Sequence, residues 1–346
     1  MKESLKNEIE GSINELYKNN PDYAFVIEYW NKKLLETFFQ IGLNKILDSP
    51  KSLSEISEII QGDLGYIVRF LRTMESLNYI KLNGQGKYFL VNQIKSNKLI
   101  KEKEVSIGMI PWKKHTEREW YQKSWENLER SIKEGKPAFN LIFDKSIFEY
   151  LDQNKKEQKI FQLAMSSNSE RQVKNIISKH HFSKYKSIID IGGGHGNLIK
   201  KIKDKFPKIK GGVFDRKAVI EEDKNKGLNK ISGDFFKEKS IPEGFDLYVL
   251  KFVIHDWNDI ESMKIFKNCS NAMNENSKLI IVERVLPKSP QKGHIGFLTD
   301  ISMMVLSGGK ERTMKEYILL AEQSGLSFSG STKVDNELTL LEFKKS

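Results

Sequence analysis

The residues best placed to do chemistry in this 346-residue chain begin with a glycine-rich turn, DIGGGHGN at residues 190–197. The turn follows a predicted strand and opens a predicted helix, where glycines permit a sharp bend and let a ligand approach the main chain closely. Its third glycine stands one residue too early for the dinucleotide fingerprint, and no Lys-Ser/Thr pair of a phosphate-binding loop follows. By itself the turn is equally consistent with a ligand cradle and with an ordinary tight turn.

Two carboxylates follow the turn at the ends of the next predicted strands. Asp215 comes about twenty residues later, where a carboxylate in such folds accepts hydrogen bonds from the 2′ and 3′ hydroxyls of a ribose. Its other interpretation is a helix N-cap. Asp234, within GDFF at residues 233–236, is placed to accept a hydrogen bond from an adenine amino group while Phe235 packs on the ring. The ordered trio of turn, Asp215 and Asp234 favours a ligand cradle over three unrelated turns.

A histidine at the end of the following strand offers a second kind of chemistry. His255 lies in KFVIHDWND, residues 251–259, at the edge of the sheet where active sites of open α/β folds lie. A neutral imidazole is a suitable base for a hydroxyl proton near pH 7, although a capped surface histidine has the same sequence signature. Two distant acids are candidates to orient the ring: Glu283, just after the next predicted strand, and Glu311.

The elements that must position these residues have the pattern of an α/β domain that begins near Lys186. Short apolar strands alternate with helices, as expected for a parallel sheet that is covered on both faces. The predicted strands are residues 187–191, 212–214, 245–250, 278–282 and 337–344, with a helix at 313–324. This alternation predicts a Rossmann-like, doubly wound sheet over residues 181–346.

The first 180 residues have the periodicity of helices instead. Apolar side chains recur at helical spacing over residues 24–47, and Ser52 with Glu55 has the spacing of a capping box. A helix over 63–77 and a hairpin that turns at NGQG, residues 83–86, complete a winged-helix pattern. We therefore expect a winged-helix-like, mainly helical domain at residues 1–100 and a helical connector at residues 101–180.

Composition argues against several other classes of protein. One cysteine, Cys269, leaves no disulfide framework and no cysteine-rich metal site, and the sequence shows no other cluster of metal ligands. No apolar run approaches the roughly 20 residues of a membrane span, and the polar N-terminus is unlike a secretory signal, so we expect a cytoplasmic protein. The net charge of +11 is spread along the chain among 46 acidic residues, which argues against nucleic-acid binding.

Five segments together resemble the small-molecule O-methyltransferases that use S-adenosylmethionine, in both order and spacing. The segments are residues 190–196, 233–235, 255–259, 282–287 and 308–313. The family includes plant caffeic-acid and flavonoid enzymes, hydroxyindole O-methyltransferases and bacterial polyketide-tailoring relatives. Its members also carry an N-terminal winged-helix-like dimerisation domain, so the resemblance covers nearly the whole chain and implies a homodimer. The chain departs from the family at Arg216-Lys217, where Leu-Pro is usual.

The resemblance implies a role for each candidate residue. S-adenosylmethionine would be held by glycines of the turn, by the strand-end acids with an aromatic neighbour, and by a lysine: Gly192, Gly194, Gly196, Asp215, Asp234, Phe235 and Lys251. His255 would be the general base, and Glu283 and Glu311 the acids beside it. The side chains implied at the acceptor site are Met165, Asp300, Met303 and Met304. Methionines serve equally often as ordinary core residues.

The sequence therefore predicts transfer of a methyl group, without a metal, to a hydroxyl of a small aromatic or polyketide-like metabolite, with a phenolic hydroxyl expected. One alternative is the same fold acting as a C- or N-methyltransferase or as a non-methylating tailoring enzyme. The other is a winged-helix DNA-binding ligand sensor. The second helix of that pattern offers Arg69 and Arg72 as its cations, against Asp63 and Glu75, which is a poor set for phosphate contact.

Overall fold

The structure is a computed structural model that describes residues 2–91, 107–222 and 227–346. The chain forms two compact units. Unit 1 consists of Met1–Leu151 and Pro287–Gly308, and unit 2 consists of Asp152–Leu286 and Gly309–Ser346. The boundary predicted near residue 100 lies outside the described residues.

The helices and strands are as follows, in chain order. The α-helices are α1 (Lys2–Asn19), α2 (Ala24–Gln40), α3 (Leu43–Ile46), α4 (Leu53–Ile60), α5 (Leu64–Ser76), α6 (Ile110–Thr116), α7 (Glu119–Glu126), α8 (Leu128–Glu134), α9 (Ala138–Phe143), α10 (Ile147–Gln153), α11 (Lys155–Lys179), α12 (Asn197–Lys205), α13 (Lys217–Glu222), α14 (Asp259–Ala272), α15 (Gly296–Leu306) and α16 (Met314–Glu322). The strands are β1 (Lys51–Ser52), β2 (Ile80–Leu82), β3 (Lys87–Leu90), β4 (Ser187–Ile191), β5 (Lys210–Asp215), β6 (Asn229–Ser232), β7 (Leu247–Lys251), β8 (Lys278–Leu286), β9 (Arg312–Thr313), β10 (Leu326–Lys333) and β11 (Leu338–Lys345). Among the described residues, no helix is long and apolar enough to cross a membrane.

Capping residues and a glycine mark several boundaries among the first helices of unit 1. Periodicity predicted a continuous helix over residues 24–47, but Gly42 adopts a φ of +75° and divides it into α2 and α3. The predicted capping box of α4 is confirmed: the Ser52 hydroxyl accepts from the Glu55 amide, and the Glu55 carboxylate accepts from the Ser52 amide. Asp63 caps α5 through its side chain.

The predicted hairpin of unit 1 is also confirmed. Strands β2 and β3 pair antiparallel, with Ile80 opposite Leu90 and Leu82 opposite Tyr88. The short strand β1, which precedes α4, pairs with β3 to complete a three-stranded sheet in the order β1-β3-β2. Two helices followed by this hairpin give unit 1 the expected winged-helix-like element.

Helix α5 packs against α15 within unit 1, and its two arginines are used in that packing. Arg69 donates from Nε and Nη2 to the two carboxylate oxygens of Asp300, each at 2.9 Å, and from Nη2 to the Asp300 carbonyl at 2.7 Å. The Arg72 guanidinium lies 5.5 Å from the centre of the Phe297 ring. Because both cations of the helix interact inside unit 1, α5 is poorly suited to contact phosphates.

Unit 2 is built around a sheet that, within the described residues, has eight strands. The order is β10-β11-β8-β7-β4-β5-β6, with β9 paired to β8 beside this path. The pairs β4–β5, β4–β7, β5–β6 and β7–β8 are parallel, whereas β10 and β11 are antiparallel. After β4 the chain adds β5 on one side and β7 on the other. This change of direction is where open α/β sheets bind ligands, at the carboxyl ends of the strands.

Both faces of the sheet are covered, which explains the continuous apolar strands seen in the sequence. Within β4, Ile189 belongs to one buried cluster and Ile188 to another, on opposite faces. Ile281 and Ile280 of β8 divide in the same way. Successive side chains of a strand point to opposite faces, so a strand buried on both faces is apolar throughout.

The two-residue strands β1 and β9 were not predicted, and two longer strands also differ from the prediction. Strand β10 was missed, because its sequence LSFSGSTK is rich in serine and it is the last strand of the sheet, with several exposed side chains. Strand β8 was predicted to end at residue 282 but continues to Leu286, because β11 and β9 pair with its final residues. Glu283 therefore lies within a strand rather than after one, and its side chain is fixed by the pleat of the sheet.

Candidate active site

The glycine turn joins β4 to α12 at the carboxyl edge of the sheet. Gly192, Gly194 and Gly196 have φ values of +71°, +56° and +73°, a region that favours glycine. A Cβ atom on Gly196 would lie 2.5 Å from Cδ1 of Leu228, so the close packing there requires glycine. A Cβ atom on Gly194 would instead have Oε1 of Gln162, at 3.5 Å, as its nearest neighbour. The main chain at Gly194 therefore has space beside it.

Asp215 ends β5 and contacts the turn directly. Its Oδ2 accepts a hydrogen bond from the Gly194 amide at 2.8 Å, and its Oδ1 accepts from the Arg216 amide at 2.7 Å. Burial raises the pKa of the Asp215 carboxyl, while these two amides and the Arg216 charge act in the opposite direction. The two segments meet because β4 and β5 are parallel neighbours, so their carboxyl ends lie at the same edge.

The charged residues Arg216 and Lys217, where the chain departs from the family pattern, both have partners nearby. Helix α13 begins at Lys217, where the family pattern would have a proline. The Arg216 guanidinium forms an ion pair with Asp152, and Lys217 lies 3.7 Å from Glu221 on the exposed side of the helix. The extra charges are thus paired with carboxylates of unit 2.

A buried carboxylate beside the turn was not singled out from the sequence. Asp190 is 1% exposed, and its Oδ1 has no hydrogen-bond partner among the described residues. Burial raises the pKa of Asp190 to about 7, an effect that Lys251 opposes and Asp215 adds to. Lys251, at the end of the neighbouring strand β7, has its pKa lowered by burial and raised by the Asp190 and Glu283 carboxylates. An oxygen of this kind suits a cationic group of a ligand.

Phe235 brings an aromatic surface to the turn. Asp234 follows β6, and its Oδ1 accepts from the Phe236 amide at 2.9 Å, which stabilises the local chain reversal. The Phe235 ring lies edge-on to Trp257 with 5.8 Å between centroids, and a Cβ atom on Gly192 would lie 3.9 Å from its Cε1. The predicted aromatic side chain therefore lies beside the glycine turn, while one oxygen of Asp234 is used locally.

His255 lies in a short 3-10 helix, Ile254–Asp256, that follows β7. Its Nδ1 is 3.1 Å from Oε1 of Glu311, in a buried hydrogen bond, and 3.8 Å from Oε2 of Glu283. Its Nε2 is 3.7 Å from Oδ1 of Asp256. The structure thus brings together the three residues proposed from the sequence, and it adds Asp256, whose part the sequence did not reveal.

These carboxylates determine the protonation of His255. Burial alone would lower the pKa of the imidazole, but the charges of Glu283, Glu311 and Asp256 outweigh it and raise the pKa to about 9. Burial in turn raises the pKa of Glu283 to about 7 and that of Asp256 to about 6, with the His255 charge acting in the opposite direction. The result is an unusually strong imidazole base in a buried acidic cluster.

Glu283 also holds the main chain next to the histidine. Its Oε1 accepts hydrogen bonds from the amides of Val253 and Ile254, at 3.1 and 2.9 Å. Its Oε2 makes no hydrogen bond within the described part of the chain, and it is the oxygen that faces His255. One carboxylate therefore fixes the start of the 3-10 helix and supplies negative charge to the ring.

Residues 309–312 lie against residues 253–257, which are called the histidine loop below. The Lys310 amide donates to the His255 carbonyl at 2.8 Å. A Cβ atom on Gly309 would lie 2.0 Å from that same carbonyl oxygen, so only glycine allows the approach. Arg312, fully buried, donates to carbonyls of the loop. Sequence analysis missed Gly309 and Arg312, although both belong to the GGKERT run that carried Glu311.

Phe252 is a further residue that the sequence did not reveal. Its φ is +55°, an unusual value for an aromatic residue, and it lies between the end of β7 and His255. The charged ends of Lys251 and Arg284 lie 5.1 and 4.9 Å from the ring centre, and the His255 ring is 5.4 Å away. The strained backbone thus places an aromatic ring between two cations and the histidine.

The histidine and its two acids also present three atoms, within 4.8 Å of one another, of the kind that bind metal ions. In the structure Oε1 of Glu311 is hydrogen-bonded to Nδ1 of His255. Oε1 of Glu283 accepts from two main-chain amides, and its Oε2 faces the imidazole at 3.8 Å. A hydrogen-bonded carboxylate fixes the orientation and tautomer of an imidazole, so Glu311 orients the His255 ring.

The residues that the resemblance implies at the acceptor site lie in both units. Met165 is half-buried on α11 in unit 2. Asp300, Met303 and Met304 lie on α15 in unit 1, where Met304 is fully buried and Met303 half-buried. Asp300 uses both carboxylate oxygens to accept from Arg69. Contact of these four residues with an acceptor remains a prediction.

Gly309→Ala is expected to destabilise unit 2, because its Cβ would overlap the His255 carbonyl oxygen between two main-chain segments. Overpacking of this kind lowers the free energy of unfolding by about 1–3 kcal/mol. Gly330→Ala in β10 is the matched control, since its Cβ would meet no atom of the described residues within 4 Å. Urea unfolding measures both variants, and equal values would contradict the close approach.

Comparison with protein-family models identifies the family of the chain. Residues 125–327 match the model of the O-methyltransferase domain, and this match covers more than half of the chain. Over 306 residues, the chain is 26% identical to the mitomycin biosynthesis 6-O-methyltransferase of Streptomyces lavendulae. That alignment covers 86% of this chain and 86% of the relative.

Solved structures show the same fold. The crystal structure of LaPhzM has a TM-score of 0.66 at 26% identity and covers 92% of this chain and 96% of its own. Human N-acetylserotonin methyltransferase, solved in complex with S-adenosylmethionine, has a TM-score of 0.64 at 21% identity, with 95% and 97% covered. Together with the family match, these findings show that the chain belongs to the O-methyltransferase family, whose members take the methyl group from S-adenosylmethionine.

Proposed function

We propose that this O-methyltransferase methylates a phenolic hydroxyl of a small aromatic or polyketide-like metabolite, with His255 as general base. The observation that carries the proposal is the buried hydrogen bond between His255 Nδ1 and Glu311, at the edge of the sheet that also carries the glycine turn. The relative from mitomycin biosynthesis is named as an O-methyltransferase, which supports oxygen as the acceptor atom. A cytoplasmic location remains a prediction from composition.

S-adenosylmethionine supplies a methyl group on a sulfonium centre, whose positive charge makes that carbon electrophilic. The residues at the sheet edge fit such a molecule. Oδ1 of Asp190, which has no hydrogen-bond partner among the described residues, suits the ammonium group of S-adenosylmethionine. The space beside Gly194 suits its close approach to the main chain. Asp215 would accept from the ribose hydroxyls, while Phe235 would pack on the adenine and Asp234 would accept from its amino group. The remaining candidates are Gly192, Gly196 and Lys251.

His255 is proposed to remove the acceptor proton through Nε2. The Glu311 carboxylate accepts a hydrogen bond from Nδ1, so the second ring nitrogen is left to receive the proton. Glu283 and Asp256 then stabilise the imidazolium by their charge, at 3.8 and 3.7 Å. A phenol has an ordinary pKa of about 10, close to the value of about 9 for His255. The proton transfer is therefore well matched and needs no metal.

The alternatives from the sequence fit the structure less well. An oriented base with a raised pKa serves the removal of a hydroxyl proton, which favours oxygen over nitrogen or carbon as the acceptor atom. A DNA-reading role for the winged-helix-like element would need free cations on α5. Arg69 and Arg72 instead contact Asp300 and Phe297 inside unit 1.

His255→Ala is expected to lower turnover by about 10²- to 10⁴-fold, because the general base is lost. Its affinity for S-adenosylmethionine should be unchanged, whereas Asp215→Ala should lose that affinity. The assay uses labelled S-adenosylmethionine with a panel of phenols, polyketide-like compounds and indoles, and identifies the products by mass. Calorimetry measures cofactor binding.

The matched control for this experiment is His181→Ala, which removes an exposed imidazole of unit 2. This variant should keep the turnover of the wild type. Near-full turnover in His255→Ala, with cofactor still bound, would show that another group is the base. Unchanged cofactor affinity in Asp215→Ala would show that the ribose is held elsewhere.

The pH dependence of kcat/KM should reflect the raised pKa of His255. Only the neutral imidazole accepts a proton, so the rate should rise with pH and level off above about 9. Glu311→Gln removes a negative charge that raises the pKa of His255, so the rise of kcat/KM with pH should occur at lower pH. The maximal rate should fall, because the ring loses the carboxylate that orients it. The measurement uses an acceptor whose own pKa lies above about 10. A rise that moved to higher pH in the variant would contradict the assignment.

We further propose that residues 1–100 mediate a homodimer. Large apolar side chains of unit 1 support an interface, since Ile59, Leu64 and Leu82 are 53%, 53% and 45% exposed. Light scattering is expected to give twice the chain mass of 40.1 kDa. The double variant Ile59→Lys, Leu64→Lys should be monomeric, and a monomeric wild type would contradict the proposal.

A further inference from the structure

We infer that Arg312 is a positioning residue, which sets the place of the His255 imidazole by holding the main chain on both sides of it. The inference rests on the proposed role of His255 as the base. The hydrogen bonds of Arg312 go to main-chain carbonyls and to a carboxylate rather than to the imidazole itself. Its effect on the reaction is therefore exerted through the loop.

The guanidinium of Arg312 is fully buried and directed at the histidine loop. Nη1 donates to the Ile254 carbonyl at 3.1 Å, and Nη2 donates to the Trp257 carbonyl at 2.8 Å. These carbonyls belong to the residue before His255 and to the second residue after it. The Ile254 carbonyl also accepts from the Trp257 amide at 3.3 Å and from the Ser262 hydroxyl at 3.4 Å, and the Trp257 carbonyl accepts from the same hydroxyl at 3.3 Å. The contacts with Arg312 are shorter, and they join the loop to the segment that carries Glu311.

The remaining donors of Arg312 connect this loop to two other segments. Nε donates to Oδ1 of Asp259 at 2.8 Å, at the start of α14, and Nη1 also donates to the Lys310 carbonyl at 3.1 Å. The Asp259 carboxylate neutralises the buried charge. A guanidinium presents five donors in one rigid plane, whereas a lysine ammonium is a single point with three donors. The contacts therefore require arginine in particular.

The hydrogen bonds that residues 310–312 make with the loop around His255 are called the clamp below. The clamp includes Glu311, the acid that binds the imidazole. Glu311 immediately precedes Arg312, and the Lys310 amide donates to the His255 carbonyl at 2.8 Å. Three consecutive residues thus contact the histidine loop through an amide, a carboxylate and a guanidinium. Because the chain is anchored on either side of Glu311, the 3.1 Å contact between Glu311 and His255 Nδ1 depends on the anchors.

The decisive variant is Arg312→Lys, which keeps the positive charge but loses the planar set of donors. The Glu311–His255 contact should lengthen, so His255 should titrate at lower pH in proton NMR than in the wild type. Turnover should fall by about 10²-fold, as for a small misplacement of a reacting group, with unchanged affinity for S-adenosylmethionine. His255→Gln identifies the resonance among the six histidines.

The sign of the titration shift separates positioning from a direct effect of charge. Loss of a nearby positive charge by itself favours the protonated imidazole and raises its pKa. Lysine retains that charge, so a lower pKa in Arg312→Lys reports the lost contact with Glu311. Unchanged titration together with unchanged turnover would overturn the inference.

Two control variants separate positioning from loss of stability. Leu326→Ala removes a buried side chain of unit 2. Leu326 lies near Lys278, the first residue of β8, and so at the edge of the sheet opposite His255. This variant should leave the His255 titration unchanged. Arg130→Lys changes an exposed arginine that pairs with Glu134, and should behave as wild type. A shift in Leu326→Ala equal to that in Arg312→Lys would overturn the inference.

A second variant decides the question if Arg312→Lys does not fold. Asp259→Glu changes a half-exposed side chain, keeps its charge and displaces the guanidinium by the length of one methylene group. It should lower the pKa of His255 as well, and unchanged titration in this folded variant would overturn the inference. The NMR readout does not depend on turnover. Full activity of His255→Ala would therefore overturn the proposed function without being mistaken for a failure of the clamp.

Discussion

The His255 imidazole is buried beside the carboxylates of Glu283, Glu311 and Asp256, and the surrounding chain must supply hydrogen-bond partners for these groups. Charged and polar groups that leave water are stable only when other groups satisfy them. The Glu283 carboxylate accepts hydrogen bonds from two main-chain amides, and the Glu311 carboxylate is hydrogen-bonded to the imidazole itself. Two carbonyls of the loop, those of Ile254 and Trp257, accept from the fully buried Arg312 and from the Ser262 hydroxyl. The same carboxylates stabilise the imidazolium form of His255 and therefore raise the pKa of its ring.

The parallel sheet determines which distant residues meet. Asp190 and Asp215 end neighbouring strands, and the segment with His255 follows the strand on the other side of β4. All three lie at the carboxyl edge, beside the point where the order of the strands changes direction. The proposed cofactor cradle and the proposed base therefore lie side by side because of one sheet topology. Neither requires the two units to be considered together, since every residue concerned belongs to unit 2.

Sequence reasoning predicted those elements whose signals are local. The capping box at Ser52 and Glu55, the hairpin of β2 and β3, and the buried strands of unit 2 depend on residues only a few positions apart. It failed where a partner elsewhere in the chain decided the outcome. Strand β10 has a weak apolar pattern and forms by pairing with β11. The last part of β8 extends past its predicted end because β9 and β11 pair with it.

The sequence by itself identified the glycine turn with its strand-end acids, and the candidate base with the acids beside it, because these signals are carried by the residue types of short segments. The tertiary structure decided how those groups behave. The raised pKa of His255, the close approach of Gly309 and the clamp by Arg312 depend on segments about 30 to 60 residues apart along the chain. Electrostatic interaction and exclusion of water act over distances in space, so their effect on a side chain is fixed only when the fold has brought the charges together.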